Sequence, residues 1–378
     1  MKKFELSLSP RYVLKWGIWE ALREIMQNVI DREYEHTDAE KFIRYWPEKK
    51  RLVIGNRLTA LKKRTLLMGG TDKADNEFLI GQYGEGYKLA MLVLLRNGCR
   101  IRIRTGSEAW APAIEFSRDF DDDIIVVKIH KMTASPDLTF EITGIDQKMY
   151  KEFTRNCLGM HTVEGMIPTN IADILMEEQY RGKIFVEGLF VCQFPEKQRV
   201  RYGYNMRASH IQLDRDRRTV QTFNLFWEIG QMYASLDSTY SGMIHAMEKE
   251  KYQDTEHYMT HAKSKDNDLY KAICNMNYDD FFLQYGKRAI PVHTEEEMRV
   301  VKEKYNDLEP IMVSEKKYKY ITSSGAFHSS SKSRVRTEVT PYSICRDFLK
   351  KHKKEMSKKL CAAFEKSIKE PAHNWKIR

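Results

Sequence analysis

The sequence has few cysteines, no long apolar run and no recognisable secretion signal. Its six cysteines are scattered, with no CxxC pair and no metal-ligand spacing, which argues against a disulfide framework or a cysteine-bound zinc ion. The longest apolar stretch, LAMLVLL (89–95), has about a third of the length that a membrane-spanning helix needs. The first residues, MKKFELSLSPRY, lack the apolar core of a signal peptide. We therefore expect a cytoplasmic protein without a transmembrane segment.

Composition and charge set the broad class of the protein. A chain of 378 residues with 42% hydrophobic and 31% charged residues is globular in composition and long enough for two or three domains. Its formal net charge of +10 favours an anionic partner, although charge concerns association rather than fold. Nucleic acid, an acidic protein and an acidic membrane surface all satisfy that condition, and these alternatives stay open.

The hydrophobic pattern of the first 150 residues predicts helices packed on a sheet. A helix, the short strand KRLVIGN (50–56) and a second helix that ends at Gly98 come first. Four runs with alternating apolar and polar residues follow, CRIRIRTG, APAIEFSRDF, DIIVVKIHKM and LTFEITGI. Such alternation predicts an antiparallel meander of four strands with one face covered by the helices, which is an α+β sandwich.

The rest of the chain is predicted to form smaller segments. The predicted boundaries are a domain at 10–148, an α/β domain at 149–245, a helical segment with a small α/β unit at 246–321, a Ser-rich linker at 322–340 and a basic C-terminal helix at 341–378. The strand pair of the second domain lies in GKIFVEGLFVCQF (182–194), before a helix in TFNLFWEIGQMYASL. The lysine-rich C-terminal helix suits binding to nucleic acid or an acidic membrane, and equally suits simple solubilisation of the chain.

The stretch EIMQNVID (24–31) places three polar side chains on one side of a predicted helix. Glu24, Asn28 and Asp31 follow the spacing i, i+4, i+7, which stacks them within roughly 40° of each other. The side chains that point the opposite way, toward a core, are apolar: Leu22, Ile25, Met26 and Val29. A solvated polar face of a surface helix explains this pattern as well as a site does, so further evidence is needed.

A glycine-rich stretch supplies that evidence. In GQYGEGYKLA (81–90) three glycines, Gly81, Gly84 and Gly86, precede a helix. Without Cβ atoms there, several backbone N–H groups can converge on an anion at the positive end of the helix dipole. Phosphate is the anion that we expect at such a site. The order GxxGxG differs from both the Rossmann and the P-loop motifs, and such a helix start also occurs as a structural turn.

Taken together, the helix with ExxxNxxD, the strand, the GQxGEG turn with its helix and the antiparallel sheet resemble the GHKL superfamily, which includes gyrase, the heat-shock chaperone, histidine kinases and MutL. The resemblance covers residues 10–145, with EIMQNVID as the N-box and IGQYGEGYKLA as the second glycine box. It implies a Bergerat-type α/β sandwich with helices on a mixed, mainly antiparallel sheet, then a transducer-like α/β domain and a helical, basic C-terminal part. Compact ATP-binding proteins of this form occur in bacteriophages, so a phage or bacterial origin is expected.

The resemblance also implies an activity. That activity is Mg²⁺-dependent binding of ATP and its slow hydrolysis, which drive lid closure, domain rearrangement and the pairing of two subunits. Glu24 corresponds to the general base that deprotonates the attacking water, and Asn28 to the Mg²⁺ ligand. Mg²⁺ prefers oxygen ligands and takes few of them from protein, and a carboxylate one turn from the amide can reach a water beside the γ-phosphate. Asp31 either supports the site by hydrogen bonds or is a solvated carboxylate.

One motif of the family is missing. The first glycine box, usually DxGxG, should follow RLVI, where this chain has GNRLTAL. Asn56 stands where the family has the aspartate that reads adenine. An asparagine carbonyl accepts a hydrogen bond from an exocyclic amine, whereas its NH₂ group serves a carbonyl base equally well. The sequence therefore leaves the preference for adenine open.

The remaining candidate residues lie in the glycine turn, the lid and the second domain. The nucleotide-binding candidates of the glycine turn are Gly81, Gln82, Tyr83, Gly84, Glu85, Gly86 and Lys88. The lid, LLMGGTDKADNEF (66–78), offers Thr71 and Lys73 to phosphate, or is simply an exposed polar loop. Lys88 either neutralises phosphate or points to solvent. In LDRDRRTV, Arg217 and Arg218 are candidates for contact with the γ-phosphate, or belong to a solvated ladder of ion pairs.

Two other functions fit the same residues. In the first, ATP is a structural switch or scaffold ligand without significant turnover. In the second, the chain is a basic nucleic-acid-binding protein with a vestigial nucleotide pocket. The expected ligands are ATP and Mg²⁺, and the expected further partners are nucleic acid or an acidic protein on the basic surfaces.

Overall fold

The computed structural model describes residues 2–67, 85–211, 222–263, 267–305 and 307–327, with short pieces at 348–349, 351–352, 356–357 and 360–364. By packing, the chain divides into two units. Unit 1 is Met1–Leu236 with Ala246–Lys265, and unit 2 is Asp237–His245 with Asp266–Arg378. Among the described residues, no helix combines the length and the apolar character required to cross a membrane.

The first part of unit 1 is a five-stranded sheet with helices. Its strands are β1 (Lys2–Leu6), β2 (Lys41–Trp46), β3 (Arg51–Asn56), β4 (Arg100–Ser117) and β5 (Asp122–Thr143), and its helices are α1 (Ile18–Glu35), α2 (Gly86–Arg96) and α3 (Gln147–Arg155). The long strand β5 is central, because it pairs with β1, β3 and β4. All pairs of this sheet that the structure describes are antiparallel. The predicted α+β class with helices on an antiparallel sheet is confirmed.

The prediction of four short strands after the second helix was wrong. β4 and β5 form one long hairpin, and the two predicted breaks lie opposite each other, since Gly106 pairs with Ser135. The ladder shifts register on both sides of Gly106 and then continues. Gly106 has φ +54°, a conformation that a residue without Cβ adopts at little cost. Two signals that predict turns are thus accommodated as one bulge.

The sheet has a covered inner face and an open outer face. On the inner face, Leu52, Ile54, Phe140 and Ile142 are almost fully buried. They belong to one apolar cluster with the inner side chains of α1 and α2, among them Leu22, Ile25, Val29, Leu92 and Leu94. At about 25 cal/mol per Å² of buried apolar surface, this cluster is the main stabilising contribution to the sandwich. It fixes α1 and α2 side by side over the sheet.

The end of α2 also holds the segment that leads into α1. The Arg96 guanidinium donates four hydrogen bonds of 2.9 to 3.1 Å, to the carbonyl oxygens of Pro10, Tyr12, Val13 and Trp16. A guanidinium has five N–H donors in a fixed fork, so one side chain can satisfy several carbonyls at once. Helix α1 then begins after Gly17, whose N–H donates to Glu20 Oε2 (2.7 Å). These contacts set the position of α1 relative to α2.

A second sheet and three helices follow. Its strands are β6 (Met166–Ile167), β7 (Ala172–Leu175), β8 (Lys183–Val186), β9 (Leu189–Gln193) and β10 (Gly203–Met206), in the order β6-β7-β10-β8-β9. The next helices are α4 (Thr222–Ala234), α5 (Ser241–Lys249) and α6 (Tyr258–Lys263). The pair β8–β9 and helix α4 confirm the predicted strand pair and the helix after it. Strands β10 and β8 run parallel, so this sheet is mixed.

Unit 2 contains a small α/β element. Its described elements are α7 (Asp268–Tyr285), β11 (Ala289–Val292), α8 (Glu295–Lys304), β12 (Glu309–Met312) and α9 (Glu315–Ser323). Strands β11 and β12 are parallel, so the predicted strand, helix and strand are confirmed. Phe281, Ala289 and Ile321 form its buried apolar cluster. The domain boundaries drawn from the sequence stay predictions.

Candidate functional site

Helix α1 is buried on nearly all sides, and its polar face is not a solvated one. Residues 21–27 are all buried, and the exposed fractions of Glu24 and Asp31 are only 1% and 2%. The interpretation of Asp31 as a solvated carboxylate was therefore wrong. Burial of a charged group costs free energy unless other groups compensate it. The burial of these polar side chains therefore requires specific compensating contacts or a functional role.

The start of α2 lies directly against that stripe. A Cβ atom built on Gly86 would lie 2.5 Å from Glu24 Oε2 and 3.6 Å from Asn28 Nδ2. Real Cβ atoms do not approach an oxygen as closely as the first of these distances, so a larger residue here would displace the Glu24 carboxylate. The N-terminus of α2 carries the positive end of its dipole, which favours the carboxylate beside it. Gly86 and the two N-box residues, about sixty positions apart in sequence, therefore meet.

The amide of Asn28 has a defined orientation. Its Nδ2 donates to the Glu24 carbonyl oxygen one turn earlier on α1 (2.7 Å). Because this bond occupies the nitrogen side, Oδ1 is the atom that can accept a hydrogen bond or bind a cation. In the part of the chain that the structure describes, no group donates to that oxygen. Asn28 is only partly buried, so a ligand can reach it.

Glu24 has a buried cationic neighbour that the sequence analysis missed. Arg23 Nη2 lies 3.6 Å from Glu24 Oε1, and each side chain is only 1% exposed. The Arg23 guanidinium also lies 6.0 Å from the centroid of the Trp16 ring. A buried ion pair of this kind restricts both side chains, since breaking it leaves a desolvated charge behind. The sequence LREIM (22–26) does not indicate this buried ion pair, because arginine is seldom fully buried.

Asn56 joins the end of β3 to α1. Its Nδ2 donates to the carbonyl oxygens of Val29 and Ala39, both at 2.9 Å. Both amide hydrogens are thereby used, and the two carbonyl acceptors fix which end of the amide is nitrogen. Oδ1 is fully buried and accepts no hydrogen bond from the described residues. The Asn56 side chain thus keeps one hydrogen-bond acceptor, Oδ1, that no described residue uses. This side chain lies against Val29, the residue after Asn28.

Lys88 does not point to solvent. Its Nζ donates to the carbonyl oxygens of Thr65 (2.8 Å) and Leu67 (2.5 Å), and the side chain is fully buried. Burial lowers the pKa of Lys88 to about 8, against the opposing attraction of Glu85. Beside it, the Tyr87 hydroxyl donates to Thr65 Oγ1 (2.8 Å). These bonds tie the first turn of α2 to the segment that follows β3.

That segment and the end of α1 line an open cavity of about 330 Å³. Its lining residues are Arg32, His36, Asp38, Leu58, Thr59, Ala60, Leu61, Lys62, Arg64 and Thr65. Arginine, lysine and histidine outnumber the single aspartate, so the cavity favours an anion. Arg32 follows Asn28 by four residues on α1, which puts both on one face of the helix. The spacing of four residues between Asn28 and Arg32 is a signal in the sequence that could have identified Arg32.

The structure places several of the predicted site residues but not all of them. Glu24, Asn28, Gly86 and Asn56 come together around α1, and Glu85 is the N-cap of α2, with its carbonyl accepting from Lys88 N and Leu89 N at 3.0 and 3.1 Å. The candidates outside the described residues are Thr71, Lys73, Gly81, Gln82, Tyr83, Gly84, Arg217 and Arg218. In the described part of the chain, no three His, Cys, Asp or Glu side chains form a metal-binding cluster.

No model of a known protein family matches this chain, and no curated protein matches it either.

Proposed function

We propose that this chain is a GHKL-type ATPase, with its nucleotide site on the inner face of the first sheet of unit 1. The observation that carries the proposal is the contact of Gly86 with Glu24 and Asn28. An acid, an amide and a glycine helix start come from distant parts of the sequence and meet in one place. This is the arrangement that the resemblance to the N-box and the second glycine box requires.

The donor set around α1 fits Mg²⁺ and a triphosphate. The free Oδ1 of Asn28 is the kind of hard oxygen ligand that Mg²⁺ selects, and Mg²⁺ commonly takes one or two such ligands from protein. When bound, Mg²⁺ would neutralise charge on the phosphate oxygens. The N-terminus of α2, starting at Gly86, offers backbone N–H groups to phosphate without a Cβ atom in the way. Glu24, one turn from Asn28, would accept the proton of the attacking water.

Asn56 supports adenine as the base. Since its two N–H donors are used by Val29 O and Ala39 O, only Oδ1 can contact a ligand. An acceptor pairs with an exocyclic amine such as that of adenine and repels the carbonyl of guanine. The asparagine thus offers the same acceptor that the family's aspartate offers, without the charge. We expect ATP to bind more tightly than GTP.

The cavity beside Arg32 suits the rest of the nucleotide. Its volume of about 330 Å³ is near the lower end of ligand pockets, which span roughly 300–1,000 Å³. Arg32, Lys62 and Arg64 give it the positive charge that a nucleotide needs. Closure of the lid, rearrangement of the second domain and pairing of two subunits belong to the same proposal, and the residues predicted to carry these steps remain predictions.

The test compares Glu24→Gln with Glu152→Gln, which removes an exposed carboxylate from α3. The parent protein should release phosphate from ATP in a Mg²⁺-dependent reaction and should melt at a higher temperature with Mg²⁺-ATP than with Mg²⁺-GTP. Glu24→Gln should lose at least about 100-fold in turnover, the usual contribution of a general base, and keep the thermal shift. Glu152→Gln should retain both properties.

Each other outcome has a meaning. Equal turnover of Glu24→Gln and the parent would contradict the assignment of the base. A thermal shift with ATP but no phosphate release by the parent would favour the nucleotide switch. Neither a shift nor release, together with salt-sensitive binding of nucleic acid, would favour a nucleic-acid-binding protein and reject the nucleotide site.

A further inference from the structure

The outer face of the first sheet carries a regular array of arginines. Strand register puts its outward side chains in three rows across β2, β3, β5 and β4. The rows are Trp46, Arg51, Thr143 and Arg100; Arg44, Val53, Glu141 and Arg102; and Phe42, Gly55, Thr139 and Arg104. We call these twelve positions the outer grid. With strands about 4.8 Å apart and about 3.4 Å per residue, it measures roughly 14 Å in each direction.

The grid is open and its charge is unbalanced. Arg44, Arg100 and Arg102 are exposed, and none of them has an ion pair with a described residue. The one carboxylate of the grid, Glu141, is shared by Arg51 and Arg104, each at 3.2 Å. Positive charge therefore dominates an exposed sheet face whose other side is packed against α1 and α2.

The kind of cation distinguishes phosphate recognition from simple solubility. The chain contains 37 lysines and 26 arginines, yet all five cations of the grid are arginines. Arginine has a planar, weakly hydrated group that binds phosphate through two parallel hydrogen bonds and stacks on aromatic rings, whereas lysine is a strongly hydrated point charge. A face selected only for solubility gives no reason to prefer arginine.

Two aromatic rings of the grid have a guanidinium group over them. Arg51 lies 4.2 Å from the centroid of the Trp46 ring, and Arg57, just after β3, lies 5.0 Å from that of Phe42. Both rings are partly exposed. Nucleobases stack on aromatic rings and on guanidinium planes. A sheet face that combines such groups with cations can therefore bind an unpaired strand. In a duplex the bases are stacked on each other and are not accessible for stacking on these rings.

We propose that the outer grid binds single-stranded nucleic acid, with Arg100, Arg102 and Arg44 on phosphates and the rings of Trp46 and Phe42 against bases. The proposal goes beyond nucleotide hydrolysis and does not depend on it, because the grid and the α1 site lie on opposite faces of one sheet. An acidic protein would meet the cations but would leave the rings without a partner of matching shape.

The test uses the full chain and two double variants. Arg100→Ser/Arg102→Ser removes two exposed, unpaired cations from the grid. Lys151→Ser/Arg155→Ser is the matched control, because it removes two exposed cations from α3, which packs against α1 on the other side of the sheet. Binding of fluorescent oligo-dT, oligo-U and a DNA duplex of equal length is followed by anisotropy between about 50 and 200 mM salt. Both variants should melt like the parent.

The parent should bind a single strand more tightly than the duplex. The grid variant should lose about tenfold or more in affinity, and its slope of log K against log salt should fall by about 1.4, since each phosphate contact to a single strand contributes about 0.7. The α3 variant should stay within about twofold of the parent. No binding by the parent, equal loss in both variants, no loss in the grid variant, or preference for the duplex would each overturn the proposal.

Discussion

Two of the buried carboxylates of unit 1, Asp254 and Glu24, have different surroundings. Asp254 is fully buried and accepts from Arg201 N at 2.9 and 3.0 Å, from Tyr202 N at 3.3 Å and from the Tyr204 hydroxyl at 2.5 Å. The Tyr204 and Tyr233 hydroxyls are 2.9 Å apart. We call this set the Asp254 network. Burial raises the pKa of Asp254 and holds the pKa values of both tyrosines well above their usual range.

The second carboxylate, Glu24, belongs to what we call the α1 cluster, formed by Glu24, Asn28, Asn56, Gly86 and Lys88. There, Asn56 keeps an acceptor oxygen that no described residue uses, and the Glu24 carboxylate lies where a side chain at Gly86 would stand. The Asp254 network is closed on itself, whereas the α1 cluster still has groups available to a ligand. A buried carboxylate is therefore not by itself evidence of a functional site. What distinguishes a site is whether the groups around the carboxylate are left available to a ligand.

The largest expected effect on stability comes from the Asp254 network. Asp254→Ala leaves two backbone N–H groups and a tyrosine hydroxyl buried without an acceptor, and each such group costs about 1–3 kcal/mol. We expect the free energy of unfolding to fall by about 3–5 kcal/mol in urea denaturation. The nucleotide-induced thermal shift of the folded variant should be unchanged. A variant that loses the shift but keeps its stability would reverse the comparison.

The next effect tests the departure of the α1 cluster from the family pattern. Asn56→Asp restores the family's residue, but a carboxylate oxygen would then face the carbonyl oxygens of Val29 and Ala39 at hydrogen-bond distance. Two lost bonds and a buried charge should destabilise the protein by about 2–4 kcal/mol at neutral pH.

Burial and repulsion should raise the pKa of the new carboxyl in the folded state of Asn56→Asp. The deficit should therefore shrink as the pH falls through that raised value. Asn170→Asp, an exposed amide before β7, should cost less than about 1 kcal/mol. Stability equal to the parent in Asn56→Asp would show that these carbonyls do not require an amide.

A third prediction concerns the cation of the α1 cluster. Burial lowers the pKa of Lys88 to about 8 in the folded protein, from a usual value of 10.5. Between these pH values the unfolded chain binds more protons than the folded one, so the contribution of this group to stability rises with pH.

Relative to Lys88→Met, the parent should therefore gain up to about 3.5 kcal/mol between pH 8 and 10.5, at about 1.4 kcal/mol for each unit of pKa difference. Urea denaturation of both proteins at several pH values measures the gain. Lys148→Met on α3 controls for the loss of a lysine from an exposed position. Parallel stability curves of parent and Lys88→Met would contradict the prediction.

The sequence predicted what depends on local periodicity. The apolar side of α1, the strand before Asn56 and the helix after Gly86 follow from spacing of 3.6 or 2 residues, and the structure has them. The spacing of Glu24, Asn28 and Asp31 identified the polar stripe correctly. Strand β2 and helix α3 were missed, although Asp146, which caps α3 by accepting from Met149 N, is a helix-start signal.

What depends on pairing between distant residues could not be predicted. The hairpin of β4 and β5 was misinterpreted because a glycine at 106 and a serine at 135 each read as a break, and only their pairing converts them into one bulge. The burial of Arg23 and Lys88 has the same cause. Long polar side chains are usually exposed, and their burial here depends on partners such as Thr65 O and Leu67 O that no local pattern indicates.

The smallest expected change in stability separates folding from function most clearly. In Gly86→Ala the added Cβ would lie 2.5 Å from Glu24 Oε2, and the acid is the end of a side chain, so it can move aside. Alanine in the first turn of a helix regains up to about 1 kcal/mol of helix propensity, and the net change in the free energy of unfolding should stay within about 1 kcal/mol.

Turnover should nevertheless fall at least about 100-fold in Gly86→Ala, since a displacement of the base by even 1 Å has such an effect. Gly159→Ala is the matched control, because its Cβ would meet no atom within 4 Å, and it should retain turnover. Urea denaturation and phosphate release, measured on the same preparations, test whether Gly86→Ala loses turnover while it keeps its stability. If Gly86→Ala hydrolyses ATP like the parent, then Glu24 does not need the position that the glycine gives it, and the α1 cluster would be structural, as the Asp254 network is.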